Sequence, residues 1–315
     1  MSLKRRVLVV SSANMDFVQR MERLPSAGET IITEESYRYI PGGKGANSAV
    51  AFARLGADTV FCTKVGKDAN GSQLKSIYQK EGIDTRFIAC DEKRATGLAS
   101  VIVEESGQNR IIVYPGANNR ITAPEVEDAF TSYPDAAYVQ FEIPYDAVVA
   151  AAEFAYEKDI PLFVDAGPVH GEIDLSRLKK VEILSPNESE CEALTGIKAD
   201  SVENCLRAAI RLGSMVECKY VVIKLGSRGA FVYDGKYYHL VPAHKVTAVD
   251  TTAAGDIFTA AMTYAYLQKG EILEAVRFAN LAAALSVTKE GAMPSIPTLA
   301  DVKAFARLVK TKAKK

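Results

Sequence analysis

A carboxylate stands at the expected start of a long apolar helix. Residues 250–256 read Asp-Thr-Thr-Ala-Ala-Gly-Asp, and an apolar run follows from 257 to 267. The first N–H groups of a helix have no partner within it, and the helix dipole adds partial positive charge, so such an end attracts phosphate. Asp256 at this end is either a helix cap or a base beside an anion-binding site. The second arrangement suits transfer of a phosphoryl group to a hydroxyl.

A glycine-rich loop occurs early in the chain, with Gly-Gly-Lys-Gly-Ala-Asn at residues 42–47. It is not a Walker phosphate loop, because Arg38 occupies the place of the first required glycine. It is not a dinucleotide fingerprint either, because Ser48 occupies the place of the third glycine. We interpret it as a loop that precedes a helix over 48–55 and directs Lys44 and Asn47 toward a small polar ligand. A purely structural tight turn is the alternative.

Polar side chains follow two of the expected strands. Asn14 and Asp16 come after the β-branched run at 7–10, and Glu142 comes after the strand-like run at 137–141. Open α/β sheets bind ligands beyond the carboxyl ends of their strands. These side chains therefore suit the hydroxyls of a sugar. The alternatives are turn chemistry for Asn14 and Asp16 and an ordinary helix-start carboxylate for Glu142.

Two further strand ends point to a nucleotide and its metal. Asn187 and Glu190 place an amide and a carboxylate at helix spacing, where they can hold a hydrated magnesium ion; the alternative is a capping box. Leu-Gly-Ser-Arg-Gly at 225–229 offers bare backbone to a nucleotide. A hairpin turn is the alternative there, because residues 230–233 and 236–240 are both strand-like.

The elements that position these residues form an alternating pattern. From residue 136 onward, strand-like and helical segments alternate, which predicts an α/β fold with a parallel sheet covered by helices. The strand-like runs 97–104 and 110–113 flank a glycine-containing turn and predict a hairpin.

The hairpin and the segment before the glycine loop predict a second, smaller sheet. We expect an antiparallel sheet outside the main one, with a strand at 30–32, as a lid over the site or a dimer face. No repeat, linker or low-complexity segment occurs. The organisation predicted is one domain over residues 1–315, with a β lid from about 15–40 and 95–115.

Composition excludes several classes of protein. The 315 residues carry a formal net charge of -1, without a long basic block, which argues against nucleic acid as a partner. No apolar run approaches the roughly 18 residues of a membrane span, and no signal-peptide core occurs near the start. The five cysteines are scattered, which fits a reducing cytoplasm and argues against a zinc site. No Gly-x-Ser-x-Gly supports a serine hydrolase.

Together these motifs resemble the ribokinase-like (PfkB) carbohydrate kinases over nearly the whole chain. The loops at 42–47 and 250–256 are the most specific parts, and segments 186–190, 225–229 and 294–295 support them. The resemblance implies a three-layer sandwich with a central, mostly parallel sheet and a small β lid that often pairs two subunits. It also implies ATP-dependent phosphorylation of the primary 5-hydroxyl of D-ribose, with Mg²⁺ and K⁺.

The same resemblance implies roles for individual residues. Asp256 is the base, and Ala254 and Gly255 supply N–H groups to the transferring phosphoryl. The sugar-binding residues are Asn14, Asp16, Gly42, Gly43, Lys44, Asn47, Glu142 and Asp256. The nucleotide-binding residues are Asn187, Lys224, Leu225, Gly226, Ser227, Gly229, Gly255 and Asn280. Asn187 and Glu190 hold magnesium through water, and the potassium ligands are Asp250, Thr252, Ser286, Lys289, Gly291 and Ser295, mostly through backbone oxygens.

Other functions stay open at this point. The acceptor is alternatively 2-deoxyribose, fructose, a keto-deoxy sugar acid or a nucleoside. A non-catalytic sugar or nucleotide sensor is a remote alternative, which the intact Asp256 disfavours. Two departures from close relatives bear on specificity. Asn280 stands where some relatives carry His, and Asp-Ala-Gly-Pro at 165–168 replaces their Asn-Pro-Ala-Pro run.

Overall fold

The computed structural model describes residues 4–105 and 108–312. The strands, in chain order, are β1 (Arg6–Val10), β2 (Asn14–Met21), β3 (Arg38–Gly42), β4 (Asp58–Gly66), β5 (Ile88–Asp91), β6 (Gly97–Glu104), β7 (Asn109–Tyr114), β8 (Ala136–Gln140), β9 (Leu162–Asp165), β10 (Lys180–Ser185), β11 (Glu217–Lys224), β12 (Ala230–Tyr233) and β13 (Tyr238–Val241). The helices are α1 (Lys44–Leu55), α2 (Ala69–Lys80), α3 (Ala123–Ala129), α4 (Tyr145–Glu157), α5 (Glu188–Thr195), α6 (Val202–Met215), α7 (Ala254–Lys269), α8 (Ile272–Ser286), α9 (Ala292–Ser295) and α10 (Leu299–Lys312).

The central sheet confirms the predicted α/β fold. Its nine strands run in the order β13-β12-β11-β10-β9-β8-β1-β4-β5. All neighbouring pairs from β11 to β5 are parallel, whereas β12 and β13 pair antiparallel at one edge. The chain winds outward from β1 in both directions. The connections diverge beside β1, and a crevice opens at such a point in doubly wound sheets.

Apolar clusters cover both faces of this sheet. In β1, Val7 and Val9 belong to one buried cluster, and Leu8 and Val10 belong to the other. Successive side chains of a strand point to opposite faces, so each face of β1 packs against its own layer of helices. This packing explains why the central strands are near-continuous apolar runs rather than alternating ones.

The smaller sheet has the order β3-β2-β6-β7. The β6–β7 hairpin is confirmed as antiparallel, although residues 106 and 107 of its turn lie outside the described residues. The expectation of a wholly antiparallel sheet is wrong, because β2 and β6 pair in parallel. Both strands enter the smaller sheet after a strand of the central sheet, β2 after β1 and β6 after β5, so they run in the same direction.

Two local predictions also differ from the structure. Residues 30–32 form no strand; Ile32 is 94% exposed, and β3 of the smaller sheet begins only at Arg38. The helix after the glycine loop begins at Lys44 rather than at residue 48. Gly43 has a φ of 90°, which turns the chain into the helix within the loop itself. None of the helices in the described residues has the length and apolar composition that a bilayer crossing requires.

Candidate active site

The N-terminus of α7 meets the carboxyl edge of the central sheet. Gln140 ends β8, and its Nε2 lies 3.5 Å from Asp256 Oδ1. Lys224 ends β11, and its Nζ lies 3.4 Å from Thr259 Oγ1. Ala253 precedes the helix with a left-handed φ of 62°, which turns the chain sharply into α7. The first turn of this helix therefore lies against the strand ends that carry the predicted residues.

Asp256 is a buried acid with polar partners from the glycine loop. It is 5% exposed. Its Oδ2 accepts a hydrogen bond from Asn47 Nδ2 at 2.9 Å, and its Oδ1 lies 3.7 Å from Lys44 Nζ. Ala253 is the N-cap of α7, and no side chain caps the helix. The interpretation of Asp256 as a cap is therefore wrong, and its carboxylate lies against the start of α1.

The electrostatics of Asp256 suit a general base. Burial raises its pKa to about 6, against the opposing effect of the positive charge on Lys44. The same contact with Asp256 raises the pKa of Lys44. A base is most effective when its pKa lies near the working pH. Asp256 is therefore ionised at neutral pH and still has appreciable affinity for a proton.

Free amides stand beside this carboxylate. The N–H groups of Gly255 and Asp256 donate to no acceptor in the described part of the chain. The structure differs from the prediction at Ala254, whose N–H donates to Thr251 O at 3.2 Å. The tight turn before the helix uses this amide. The amides at the start of α7 that lack an acceptor among the described residues are thus those of Gly255 and Asp256, and such amides suit an anion.

The residues predicted to hold a sugar lie together around the start of β2. A side chain at Gly42 would place its Cβ 2.1 Å from Asp16 Oδ2, so the loop approaches Asp16 only because glycine stands there. Burial, and next the charge of Glu142, raise the pKa of Asp16 to about 7. Glu142 Oε2 accepts a hydrogen bond from Ser12 Oγ and another from Lys44 N–H at 3.0 Å. Glu142 thus connects the end of β8 to the loop before β2, through Ser12, and to the glycine-rich loop, through Lys44.

Asn47 provides an observation that points to a ligand. Its Nδ2 donates to Asp256, but its Oδ1 is buried and has no hydrogen-bond partner among the described residues. An unpaired buried acceptor costs about 1–3 kcal/mol. A hydroxyl group bound beside Asp256 would satisfy this oxygen.

The Asn187–Glu190 pair forms a capping box at the start of α5. Glu190 N–H donates to Asn187 Oδ1 at 2.8 Å, and Asn187 N–H donates to Glu190 Oε2 at 2.7 Å. The capping alternative is therefore confirmed for these two residues. Glu190 is nevertheless only 7% exposed, and its Oε2 lies 3.9 Å from Lys224 Nζ. Because the capping box uses Glu190 Oε2, the pair suits a metal held through water better than a directly bound one.

The predicted nucleotide loop connects two antiparallel strands, as the turn alternative requires. Residues Gly226–Arg228 form a 3₁₀ turn between β11 and β12. A Cβ at Gly229 would stand 2.1 Å from Val241 O. Asn280 Nδ2 donates to Val241 O at 3.2 Å and to Pro242 O at 3.1 Å. Asn280 therefore fixes the backbone at the end of β13 with the donor end of its amide.

The predicted potassium loop is ordered by Asp250. Its Oδ1 accepts from Thr252 N–H at 2.8 Å and from Thr252 Oγ1 at 2.6 Å, and its Oδ2 accepts from Gly291 N–H at 2.8 Å. Burial works against its charge, but these hydrogen bonds keep the pKa of Asp250 below its ordinary value. Ser286 and Ser295 donate their hydroxyls to Ala283 O and Ala292 O, and Lys289 donates its N–H to Ser286 O. The predicted ligands thus lie on two segments that Asp250 joins.

Sequence reasoning missed the buried pair of Asp165 and Lys224. Lys224 Nζ donates to Asp165 Oδ1, and Gln140 Nε2 donates to Asp165 Oδ2 at 2.9 Å. Burial opposes the charge of Lys224, yet Asp165 and Glu190 raise its pKa. Asp165 ends β9, so its place at a strand end was the signal that could have identified it. The departure at 165–168 therefore lies beside Lys224 and Glu190, at the predicted phosphate side of the site.

In the described ranges 4–105 and 108–312, no three His, Cys, Asp or Glu side chains form a group that could hold a metal ion. A cation bound here would therefore depend on water, backbone oxygens or a ligand phosphate as well as on side chains.

Comparison with known proteins agrees with this geometry. A model of the pfkB family of carbohydrate kinases matches residues 4–299. Ribokinase from Haemophilus influenzae is 35% identical over 305 residues, which cover 96% of this chain and 99% of the relative. Deoxyribokinase from Salmonella typhi is 31% identical over 297 residues, which cover 93% and 96%. The structure of Arabidopsis thaliana ribokinase complexed with ribose and ATP superposes with a TM-score of 0.88 at 32% identity, covering 96% of this chain and 99% of that one.

The fold and the site define a small-molecule kinase, a phosphotransferase with an alcohol group as acceptor. The chain belongs to the pfkB family of carbohydrate kinases. Its fold matches that of solved ribokinase structures.

Proposed function

We propose that this protein transfers the γ-phosphoryl group of ATP to the primary 5-hydroxyl of D-ribose. The observation that carries the proposal is the position of Asp256, a buried carboxylate beside the free amides of Gly255 and Asp256 and within reach of Asn47 and Lys44. The Haemophilus relative is a ribokinase, and the Arabidopsis structure was solved with ribose and ATP. Both support the choice of acceptor and donor.

In this proposal the chain contributes position and charge. Asp256 takes the proton of the 5-hydroxyl while the hydroxyl oxygen attacks the γ-phosphorus of ATP. The amides at the start of α7 face the negative charge of the transferring group, and Lys44 and Lys224 add positive charge on either side of it. Phosphoryl transfer needs little more than such positioning and charge stabilisation.

The remaining ligands are assigned by position. We place the sugar between Asp16, Asn14, Asn47, Glu142 and the backbone of the 42–43 loop, and the nucleotide along the 225–229 turn. Magnesium, which neutralises phosphate charge when bound, would be held by Asn187 and Glu190 through water. Potassium would occupy the loops joined by Asp250. We propose that the enzyme, which uses ATP in this way, is located in the cytoplasm.

The direct test measures ADP release with ribose, other pentoses, hexoses and nucleosides, in the presence of magnesium and potassium. Ribose should give the highest kcat/KM, and the product should carry phosphate on the 5-hydroxyl. The main competitor is 2-deoxyribose, because a deoxyribokinase is 31% identical to this chain. A kcat/KM for 2-deoxyribose above that for ribose would reverse the assignment. No ADP release with any of these acceptors would refute the kinase.

We also propose that two copies pair through the lid, the sheet of β2, β3, β6 and β7. Its edge strand β7 is exposed along its whole length, and Ile111 and Ile112 are 54% and 69% exposed. An unpaired, apolar edge strand is a liability unless a partner covers it. Ile112→Glu should shift the protein from dimer to monomer in sedimentation velocity, whereas Ile210→Glu on the exposed face of α6 should not. A wild-type monomer at the same concentration would exclude the pairing.

A further inference from the structure

Asn118 is a buried residue whose side-chain amide contacts the chain at the start of β2. It lies in the 3₁₀ turn Gly116–Arg120 that follows the lid, and it is 1% exposed. Its Oδ1 accepts from Ala13 N–H at 3.0 Å. Its Nδ2 donates to Ala13 O at 3.1 Å and to Asn14 Oδ1 at 2.7 Å. One side chain thus holds the backbone and the side chain at the start of β2.

These contacts fix the orientation of both amides. The oxygen and nitrogen of an Asn side chain are assigned from their partners, and here the partners are unambiguous. The N–H of Ala13 can only donate, so the Asn118 atom that faces it is the oxygen. The other end of Asn118 is then NH₂, which faces Ala13 O, an acceptor. The Asn14 atom 2.7 Å away must accept as well, so it is Oδ1.

The orientation of Asn14 decides what it offers a ligand. With Oδ1 bound to Asn118, the free end is Nδ2, which donates to no acceptor in the described part of the chain. Asp16 lies two residues further along β2, on the same face of the strand. A donor and a carboxylate acceptor therefore stand next to each other, which matches adjacent hydroxyls, one accepting and one donating.

The absence of a side chain at Gly97 leaves room for the contact between Asn118 and Asn14. A Cβ at Gly97 would stand 2.1 Å from Asn14 Oδ1 and 2.4 Å from Asn118 Nδ2. Only glycine at the start of β6 lets the two amides meet. The contact thus connects the base of the lid to the sugar side of the site.

We propose that Asn118 is a positioning residue for substrate specificity, which holds Asn14 with its NH₂ group toward the sugar. The inference rests on the proposed function, since it needs a polyhydroxyl acceptor at Asn14 and Asp16. It does not require that the acceptor be ribose.

The main variant is Asn118→Asp. The carboxylate keeps the bond from Ala13 N–H but has no hydrogen to give Ala13 O or Asn14 Oδ1, so the Asn14 amide turns and presents its oxygen to the sugar. We expect KM for the sugar to rise about tenfold or more, whereas kcat at saturating sugar and KM for ATP stay within about twofold. Asn119→Asp is the matched control, because it adds the same charge at the exposed neighbouring position and should leave all three values unchanged.

A double-mutant cycle separates positioning from damage to the fold. In an Asn14→Ala background, Asn118→Asp should no longer change KM for the sugar, because its effect passes through Asn14. An undiminished effect in that background would overturn the proposal, and so would an unchanged KM in Asn118→Asp alone.

If Asn118→Asp does not fold, Gly97→Ala provides an independent test of the proposal. The added methyl group should raise KM for the sugar as well, while Gly213→Ala in α6, whose Cβ would meet open space, should not. A normal KM in Gly97→Ala would contradict the inference. The substrate for every arm is whichever sugar gives the wild type its highest kcat/KM, and calorimetric binding of ribose replaces KM if the wild type turns over none. Failure of ribose as a substrate is thus distinct from failure of Asn118 as a positioning residue.

Discussion

Replacing Asp256 by Asn tests the catalytic proposal and the electrostatics of the site together. The amide has the shape of the carboxylate and retains an oxygen for the hydrogen bond from Asn47. It cannot take a proton from a hydroxyl. We therefore expect kcat to fall by at least about a hundredfold, while calorimetry shows sugar affinity close to that of the wild type.

The same change should alter how stability depends on pH. The folded-state pKa of Asp256 is about 6, against about 3.9 in an unfolded chain. The folded protein therefore binds this proton more tightly, and ionisation of Asp256 destabilises the fold progressively as pH rises from about 4 to about 6. A difference of about two pKa units corresponds to about 3 kcal/mol at pH 7. Asn carries no such penalty, because it does not ionise.

Urea unfolding of both proteins across this pH range measures that difference. The free energy of unfolding of the variant, minus that of the wild type, should grow by about 3 kcal/mol between pH 4 and pH 7. Asp159→Asn is the control: Asp159 is exposed and has a φ of 53°, which Asn tolerates. Near-normal turnover in Asp256→Asn would refute its role as base. A stability difference that does not change with pH would refute the raised pKa, whatever the turnover.

Three further predictions follow from the other charged groups. KM for the sugar should change near pH 7 through ionisation of Asp16, and Glu142→Gln should move that change to lower pH in the pH profile, because it removes a neighbouring negative charge. Activity should be higher in potassium than in sodium at equal ionic strength. Equal rates would contradict the proposal that potassium binds at the loop of Asp250. Lys224→Met should lower the free energy of unfolding by about 3 kcal/mol in urea. Adding Asp165→Asn should restore part of that loss, because it removes the buried carboxylate that has lost its hydrogen-bonded lysine; additive losses would contradict the pairing.

The central fold was predictable because periodicity and burial agree in this chain. Runs such as 7–10 and 221–223 are apolar throughout, which is typical of strands covered on both faces. The polar residues after them therefore had to meet at one sheet edge. The lid was harder to predict: nothing in the residues of β2 and β6 specifies parallel pairing, which follows from the path of the whole chain.

Site residues were predictable where they belong to a recognisable loop motif. They were not predictable where their role depends on a contact with a residue far away in the sequence. Asp256 and Asn47 stand in recognisable loops, although their hydrogen bond spans 209 positions. Asn118 has an ordinary turn sequence around it, and only its partners at residues 13 and 14 show its place. The state of the Ala254 amide was equally hidden, because a single bond to Thr251 decides it.

The arrangement of charge explains why Asp256, rather than the neighbouring Asp165, suits the role of base. Asp165, Glu190 and Asp256 are all less than 10% exposed, and burial of ionised carboxylates is costly unless they are paired. Lys224 lies between Asp165 and Glu190, with a hydrogen bond to the first and 3.9 Å from the second. Asp256 instead faces Lys44, whose Nζ lies 3.7 Å away on a side chain that is 35% exposed. Asp256 thus lacks the hydrogen-bonded lysine that Asp165 has, and burial raises its pKa. A proton from a bound hydroxyl relieves the cost of its negative charge.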